Sequence, residues 1–309
     1  MIKTPTVFVL GAGASKPYGY PDAMELRALV LQGLKGKQPE ALRCMDAENL
    51  RQMGAQCAIA LENVKGTSVD AFLEHRREFT RVGKVVMAYE LLCCEDHNKV
   101  FSEKGIEGDW LAYLLPAMEG TFDTFGDNAV SFVTFNYDRL LEHALFTTVK
   151  HRYNLSDEDC AAVLEMFPIV HVHGSLGPLP WQDTEGRPYG GPLQPQHMSF
   201  AADRIKIVYE GAEWDPEFDK ARELISTAHR IYFLGFGYYK DNVERLHLGK
   251  CRGGAGVFGT AFKFSPREIQ DVYRLLNAQI DPQANPRPVF EIINTECYDF
   301  LRNDPVRLD

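Results

Sequence analysis

Five short runs of apolar residues divide the chain, each four or five residues long and rich in β-branched or aromatic side chains. Runs of this kind predict buried strands, and here they cover residues 7–10, 130–134, 169–173, 231–234 and 289–293. Apolar residues at helical spacing lie between several of them, as in residues 139–149, 215–229 and 266–278. Strands that alternate with helices predict an α/β fold with a doubly wound, mainly parallel Rossmann-like sheet.

A long helical stretch separates the first predicted strand from the second. Met24, Leu26 and Val30 repeat at helical spacing, and residues 40–62, 69–96 and 109–124 also have helical patterns. This stretch of roughly a hundred residues is too long for a simple crossover between strands. The sequence therefore predicts one α/β domain over residues 1–309 with an inserted helical subdomain at residues 23–128, which we call the helical insert.

Residues 177–201, which we call the lid segment, are rich in Pro and Gly and contain Trp181, Tyr189 and Phe200. Because aromatic side chains can pack, we expect a long ordered loop or lid here and not a flexible linker.

The charge balance narrows the range of partners. Lys and Arg total 33 against 43 Asp and Glu, a formal net charge of −10, and an acidic protein of this kind is not expected to bind nucleic acid directly. No apolar run approaches the length of a membrane span, so no membrane partner is expected. The 7 cysteines are scattered without a C-x-x-C pair, which favours reduced thiols and a cytoplasmic location.

A glycine-rich turn follows the first predicted strand, with the sequence Gly11, Ala12, Gly13, Ala14, Ser15. Glycines allow a tight turn and a close approach of the backbone, and a helix that starts here would direct N–H groups towards a pyrophosphate. Lys16 stands where the third glycine of the dinucleotide fingerprint G-x-G-x-x-G is expected. A tight strand-to-helix turn without a ligand is the alternative interpretation.

Polar clusters follow the predicted strands at five places: residues 11–15, 134–138, 173–175 and 235–242, and Asn294. In an open parallel sheet, ligands bind outside the carboxyl ends of the strands. The sequence therefore predicts that these segments meet at one edge of the sheet and form one site.

The same segments resemble the motifs of the sirtuin superfamily, in the same order along the chain. Residues 11–22 resemble G-A-G-x-S-x-x-x-G-x-P-D, residues 134–138 resemble T-Q-N-x-D, and residues 173–175 resemble the H-G motif. Residues 235–237 occupy the place of the G-T-S turn, and Asn294 that of a late I-N pair.

Two departures point away from the protein deacetylases of this superfamily. Those enzymes bind a structural zinc through two C-x-x-C pairs after the H-G motif, whereas the lid segment follows here and the next cysteine is Cys251. Phe135 replaces the glutamine of T-Q-N-x-D. The pattern is similar to the SIR2-like domains of bacterial anti-phage defence, which implies NAD⁺ as the substrate and no metal.

The resemblance implies a role for each matched residue. Asn136 would position the attacking water or the ribose hydroxyls, Asp138 would hold the nicotinamide carboxamide or a ribose hydroxyl, and His173 would be the general base or would orient the ribose. Gly11, Gly13 and Ser15 are expected to hold the pyrophosphate of the dinucleotide, and Gly235, Gly237 and Asn294 its adenosine side. Ala12 and Thr134 are also expected to bind the dinucleotide.

Each of these residues also has a purely structural interpretation. Asn136 and Asp138 can cap a helix that begins near Arg139. His173 can be a core histidine bonded to the backbone. His171 is expected to be structural and, because side chains alternate along a strand, to lie on the same strand face as His173.

The resemblance implies an NAD⁺ glycohydrolase that releases nicotinamide and ADP-ribose, a defence effector that depletes NAD⁺. Such an activity must be held off until it is triggered, so a homo-oligomer and a regulatory partner protein are expected. The alternatives are a non-catalytic NAD⁺ or ADP-ribose sensor, and a deacylase or ADP-ribosyltransferase that uses the same bond scission.

Overall fold

The computed structural model of the protein describes residues 1–37, 48–102, 105–118, 120–207, 215–303 and 308. Its centre is a sheet of six parallel strands: β1 (Thr6–Leu10), β2 (Val130–Thr134), β3 (Ile169–His171), β4 (Arg230–Leu234), β5 (Gly256–Thr260) and β6 (Val289–Ile293). The strands lie in the order β3-β2-β1-β4-β5-β6. A parallel sheet in this order, with helices on both faces, is the doubly wound Rossmann-like fold, so the predicted fold class is confirmed.

The strands end level with one another at the carboxyl edge of the sheet. Leu10, the last residue of β1, lies opposite Thr134 on one side and Leu234 on the other. Thr134 in turn lies opposite His171. The strand order reverses beside β1, and a crevice at such a reversal is where ligands bind in this fold. The polar segments after β1, β2, β3 and β4 therefore leave the sheet around one crevice.

Each face of the sheet has its own hydrophobic core. On one face Phe8 stacks between Phe132 and Tyr232, with ring centroids 5.6 Å and 5.3 Å apart. Val7 and Val9 belong to the core of the other face, because successive side chains of a strand point to opposite faces. That second core is completed by the helices Pro216–Thr227, Lys240–Arg245 and Pro266–Ala278.

The helical insert packs on the face that carries Phe8. Buried residues of the insert and of the sheet belong to one apolar cluster, so the two share a core, and the boundaries 23 and 128 stay a prediction. The predicted helix 40–62 begins at residue 48 in the described part of the chain, and its first residues lie outside it. The helices of the insert are Ala23–Gln32, Glu48–Glu62, Val69–His75, Thr80–Leu92, His97–Val100, Leu111–Ala117 and Phe122–Phe125.

The remaining elements connect the strands or end the chain. The α-helices are Ala12–Ser15, Leu140–Tyr153, Asp157–Leu164, Pro195–Arg204 and Cys297–Asn303; 3₁₀ turns are Lys16–Tyr18, Arg77–Phe79 and Leu248–Lys250, and Gly33–Lys37 forms a π turn. None of the helices in the described residues has both the length and the apolar character needed to cross a bilayer.

One strand, β5, is not predicted from the sequence. Its segment contains Gly256 and Gly259, and glycine weakens a strand pattern. The structure gives the reason for the second glycine: a Cβ at Gly259 would lie 2.1 Å from the hydroxyl oxygen of Tyr238. The side chain that would have marked the strand is therefore excluded by a neighbour that is distant in sequence.

Candidate functional site

A hydrogen-bonded cluster joins the turns after β1 and β2. The hydroxyl of Ser15 donates to Asp138 Oδ2 across 2.8 Å, and Asn136 Nδ2 donates both to Ser15 Oγ, at 3.1 Å, and to the carbonyl of Gly11, at 3.0 Å. The Asn136 N–H donates to Thr134 Oγ1 at 3.0 Å. One chain of hydrogen bonds therefore joins four residues that the sequence selects: Thr134, Asn136, Ser15 and Asp138.

Asp138 has a structural contact as well. Its Oδ1 accepts a hydrogen bond of 3.2 Å from the N–H of Leu140, at the start of the helix Leu140–Tyr153. One oxygen of this carboxylate, Oδ1, therefore bonds to the start of the helix, as the capping interpretation expects. The other, Oδ2, bonds to Ser15 in the candidate site.

The glycines after β1 and β4 pack against each other. The N–H of Gly13 donates to the carbonyl of Gly235 at 3.0 Å, and the N–H of Gly11 donates to the carbonyl of Leu234 at 3.0 Å. A Cβ at Gly11 would lie 2.6 Å from the Gly235 carbonyl oxygen. These glycines therefore allow two turns to touch at the crevice. Two N–H groups that the sequence assigns to a pyrophosphate already donate within the protein.

The ring of His173 lies among aromatic side chains, one of which is Phe135. Its ring is 5.4 Å from Phe135 and 5.7 Å from Phe218, both edge-on. The side chain of Asn242, which belongs to the polar segment after β4, hydrogen-bonds to it. Phe135 is also 4.9 Å from Phe236. The H-G segment and the segment after β4 therefore meet around Phe135, the residue that replaces glutamine in the T-Q-N-x-D pattern.

The expectation that His171 and His173 share a face is wrong. His171 Nδ1 lies 2.9 Å from the carbonyl oxygen of Asn136 and its Nε2 lies 2.6 Å from Glu142 Oε1, so it points towards the helix Leu140–Tyr153. His173 contacts Phe218 in the opposite layer. The reason is that β3 ends at His171 and the chain then turns, with Gly174 at a φ of 75°.

The helical insert reaches the site through Asp70. The hydroxyl of Tyr137 donates to Asp70 Oδ1, and Tyr137 lies between Asn136 and Asp138 in the chain. Asp70 is also the largest of the charged influences on His173, where its negative charge favours the protonated ring. An element of the insert therefore contributes a carboxylate that bonds to the Asn136 segment and acts through its charge on His173.

Burial sets the charge state of the two titratable groups. Burial raises the pKa of Asp138 to about 6, although the hydrogen bonds from Ser15 and Leu140 favour its carboxylate. Burial lowers the pKa of His173, although Asp70 and Asn242 favour its charged form. At neutral pH the site therefore contains an ionised Asp138 and a neutral His173, which can accept a proton.

The contacts given for Gly237 and Asn294 are with residues outside this cluster. Asn294 uses its side-chain amide to hold the turn after β5, accepting from the N–H of Lys263 at 2.9 Å and donating to the carbonyl of Phe264 at 2.8 Å. Gly237 is exposed beside the ring of Tyr239. A residue that the sequence analysis omits, Thr260, accepts from the N–H of Gly235 at 2.9 Å and fixes that turn.

The first part of the lid segment is fixed by a buried carboxylate. Glu95, whose side chain is 0% exposed, accepts hydrogen bonds from Arg139, from Arg187 and, at 3.1 Å, from the N–H of Gly190. Arg139 also donates to the carbonyls of Pro178 and Arg187, at 2.9 Å each. We call this group the Glu95 clasp. Because Arg139 directly follows Asp138, the clasp joins the lid segment to the site.

The cavity beneath the cluster is small. Its lining includes Ser15, Asn136, Asp138, Glu142 and His171 together with apolar side chains such as Trp110 and Leu141, and it has room for about one water molecule. Any ligand larger than a water molecule would have to lie outside this cavity. Among the described residues, no three His, Cys, Asp or Glu side chains form a group that could hold a metal ion.

Sequence reasoning omits Glu142 and Asp70, and one of them has a recognisable signal. Glu142 lies at the start of a predicted helix and interrupts the apolar residues Leu140, Leu141 and Ala144, so a carboxylate stands where an apolar side chain is expected. Asp70 has no such signal, because its position beside Tyr137 depends on how the insert folds over the sheet.

The fold and this geometry define the class of the protein: a Rossmann-like α/β protein with a polar cluster at the reversal of its strand order. No protein-family model matches the chain, and no curated protein matches it either.

Proposed function

We propose that the protein is an NAD⁺ glycohydrolase, which cleaves the bond between nicotinamide and ribose and releases ADP-ribose. The observation that carries this proposal is the hydrogen-bonded cluster of Ser15, Asn136 and Asp138 at the crevice where the strand order reverses. A dinucleotide bound there would place its pyridinium–ribose linkage beside an amide and a carboxylate, and the proposal requires that the neutral imidazole of His173, which contacts Phe135, reach the same linkage.

Each of the three side chains has a task in this reaction. Asn136 uses its N–H, its carbonyl and its side-chain NH₂ within the protein, so Oδ1 is the atom left to orient water or a ribose hydroxyl. Water attacks the anomeric carbon as the bond to nicotinamide breaks, and nicotinamide leaves with the bonding electrons as a neutral base. His173 accepts the proton of the water, and the ionised Asp138 stabilises the positive charge that develops on the ribose.

The glycine turn would contribute space for the ligand to approach the backbone, and few free hydrogen-bond donors. Because Gly11 and Gly13 donate to the segment after β4, a pyrophosphate at this turn would rely on Ala12 and on the absence of side chains. Gly235, Gly237 and Asn294 would line the adenosine side, with Asn294 acting through the turn that it holds.

We further propose that the protein acts in the cytoplasm as a defence effector that depletes NAD⁺, in a homo-oligomer and under a regulatory partner. The Glu95 clasp supports regulation of the activity by the lid segment, because it binds that segment to Arg139, the residue after Asp138. A non-catalytic NAD⁺ or ADP-ribose sensor and a transferase remain the other candidates.

The test is to incubate the purified protein with NAD⁺ at several protein concentrations and to separate the products by chromatography. We expect nicotinamide and ADP-ribose in equal amounts, at a rate that rises faster than linearly with protein concentration. Asn136→Ala and His173→Ala should abolish the reaction. The matched controls are Asn277→Ala and His151→Ala, which change exposed residues outside the site.

The outcomes separate the candidates. Tight nucleotide binding without turnover at every protein concentration would indicate a sensor and refute the hydrolase. An NAD⁺-dependent change in the mass of an acylated or acceptor peptide would indicate a deacylase or transferase. Undiminished hydrolysis in both site variants would refute the assignment of Asn136 and His173.

A further inference from the structure

His171 lies between two hydrogen-bond acceptors. Its Nδ1 is 2.9 Å from the carbonyl oxygen of Asn136, and its Nε2 is 2.6 Å from Glu142 Oε1. A backbone carbonyl cannot donate, so the proton of the first contact must be on Nδ1. The ionised carboxylate of Glu142 also accepts, from Nε2–H, so a ring that makes both contacts carries a proton on each nitrogen, and Glu142 both orients the ring and favours this charged form.

The pair is buried and its charges compensate each other. The side chain of His171 is 13% exposed and that of Glu142 is 6% exposed. Burial lowers the pKa of His171, but the charge and hydrogen bond of Glu142 outweigh it, so the pKa is raised. Burial raises the pKa of Glu142, but His171 outweighs it, so the pKa is lowered. Both shifts favour an imidazolium–carboxylate pair.

The contact with His171 completes the immobilisation of Asn136. Thr134 holds the N–H of Asn136, Ser15 and Gly11 hold its side-chain NH₂, and His171 holds its carbonyl. Of these contacts, the one from His171 alone reaches Asn136 from outside the β1 and β2 segments. His171 therefore fixes the backbone from which the Asn136 side chain projects, while Ser15 and Gly11 fix the amide itself.

We infer that His171 and Glu142 are positioning residues: His171 clamps the peptide carbonyl of Asn136, and Glu142 orients the His171 ring. This inference rests on the proposed function in that it assigns Asn136 the task of orienting the attacking water. It also makes a claim about the resting protein, that the ring carries a proton on Nδ1 directed at Asn136.

The experiment compares variants that keep or remove the critical donor. The side-chain NH₂ of asparagine takes nearly the same place as Nδ1 of histidine, so His171→Asn keeps a donor for Asn136, whereas His171→Leu removes it. Both variants leave Glu142 buried without its partner, so they carry the same electrostatic penalty and control for each other. Glu142→Gln and Glu142→Leu form a second pair, because glutamine can still bond to Nε2 and leucine cannot.

We expect kcat for NAD⁺ hydrolysis to fall on the order of 100-fold in His171→Leu and Glu142→Leu, with KM nearly unchanged, because a misplaced Oδ1 affects the reaction and not the binding. His171→Asn and Glu142→Gln should stay within about tenfold of the wild-type protein. Equal losses of kcat in His171→Asn and His171→Leu would overturn the inference, because a purely structural pair predicts that result.

A measurement on the resting protein separates this inference from the proposed function. Nitrogen-15 NMR of the histidine rings should show a protonated Nδ1 for His171 at neutral pH in the wild-type protein, and Glu142→Leu should change this signal. An unprotonated Nδ1 would overturn the inference whatever the activity. If the signal is as expected and no variant or wild-type protein hydrolyses NAD⁺, the proposed function fails and the assignment of the pair as the clamp of Asn136 stands.

Discussion

The hydroxyl of Ser15 donates to the carboxylate of Asp138 across 2.8 Å, although 123 positions separate the two residues in the chain. Ser15 closes the glycine turn after β1, and Asp138 follows β2. The bond exists because β1 and β2 are neighbours whose ends are level. It connects the two segments that the sequence selects as nucleotide-binding and catalytic.

Ser15→Ala should move the acid limb of the activity profile to higher pH. The hydrogen bond from Ser15 stabilises the carboxylate of Asp138, whose pKa is about 6. A bond to a charged group contributes about 1.5–3 kcal/mol, so its loss should raise the pKa of Asp138 by about 1–2 units. The check is the pH dependence of kcat/KM for NAD⁺ hydrolysis. Ser226→Ala, in the helix Pro216–Thr227, is the control and should leave the acid limb in place.

Asp138→Asn should lose activity and gain stability. The pKa of Asp138 is raised in the folded protein from 3.8 to about 6, so the folded state binds the proton more tightly than the unfolded state. The free energy of unfolding of the wild-type protein therefore falls as the pH rises from about 4 to about 6, by up to about 3 kcal/mol. Asp138→Asn has no carboxyl group at this position to ionise, so its free energy of unfolding does not decrease for this reason as the pH rises.

Urea denaturation at several pH values tests this second prediction. The stability advantage of Asp138→Asn should be small near pH 4, should grow up to about pH 6 and should stay constant above it. A variant that is less stable than the wild-type protein at pH 8 would show that the Ser15 and Leu140 contacts matter more than the buried charge.

The sequence predicts the parallel sheet and the edge at which the polar residues meet, because apolar runs mark five strands and parallel strands share a carboxyl edge. It does not predict which turns touch. The contact of Ser15 with Asp138 requires β1 and β2 to be neighbours, and the contact of Gly13 with Gly235 requires β1 and β4 to be neighbours. The separation of His171 from His173 depends on where β3 ends, and strand ends are weakly encoded in local patterns.

Gly235→Ala should be strongly destabilising. Gly235 has a φ of 58°, and a Cβ there would lie 2.1 Å from the backbone nitrogen of Ala14. Gly66 is a matched control, because its φ is 69° and nothing lies within 4 Å of the place of its Cβ. Gly66→Ala should cost about 1–2 kcal/mol of unfolding free energy through backbone strain alone. Gly235→Ala should cost at least about 2 kcal/mol more, measured by urea denaturation. Equal costs would show that the turns after β1 and β4 can move apart freely.

Glu95→Gln should destabilise the protein and expose the lid segment. The carboxylate of Glu95 is buried between Arg139 and Arg187, and removal of one partner from a buried ion group leaves uncompensated charge, at a cost of about 3–5 kcal/mol. Limited proteolysis should cut the variant within residues 177–194 faster than the wild-type protein. The control is Asp203→Asn, which removes an exposed ion pair with Arg81 and should change the unfolding free energy by less than about 1 kcal/mol.

Asp70→Asn should shift the activity profile in the opposite direction from Ser15→Ala. The negative charge of Asp70 favours protonated His173, so its removal lowers the pKa of His173 further, and the ring stays neutral and able to accept a proton at lower pH. If His173 is the base, the limb of kcat/KM that reports its deprotonation should move to lower pH. Tyr137→Phe, which removes the hydrogen bond to Asp70 Oδ1 and keeps the charge of Asp70, should leave that limb in place. Glu74→Gln, in the same helix Val69–His75, is the control for the loss of a carboxylate. A limb that does not move in Asp70→Asn, with unfolding free energy unchanged, would show that the charge of the helical insert does not act on His173.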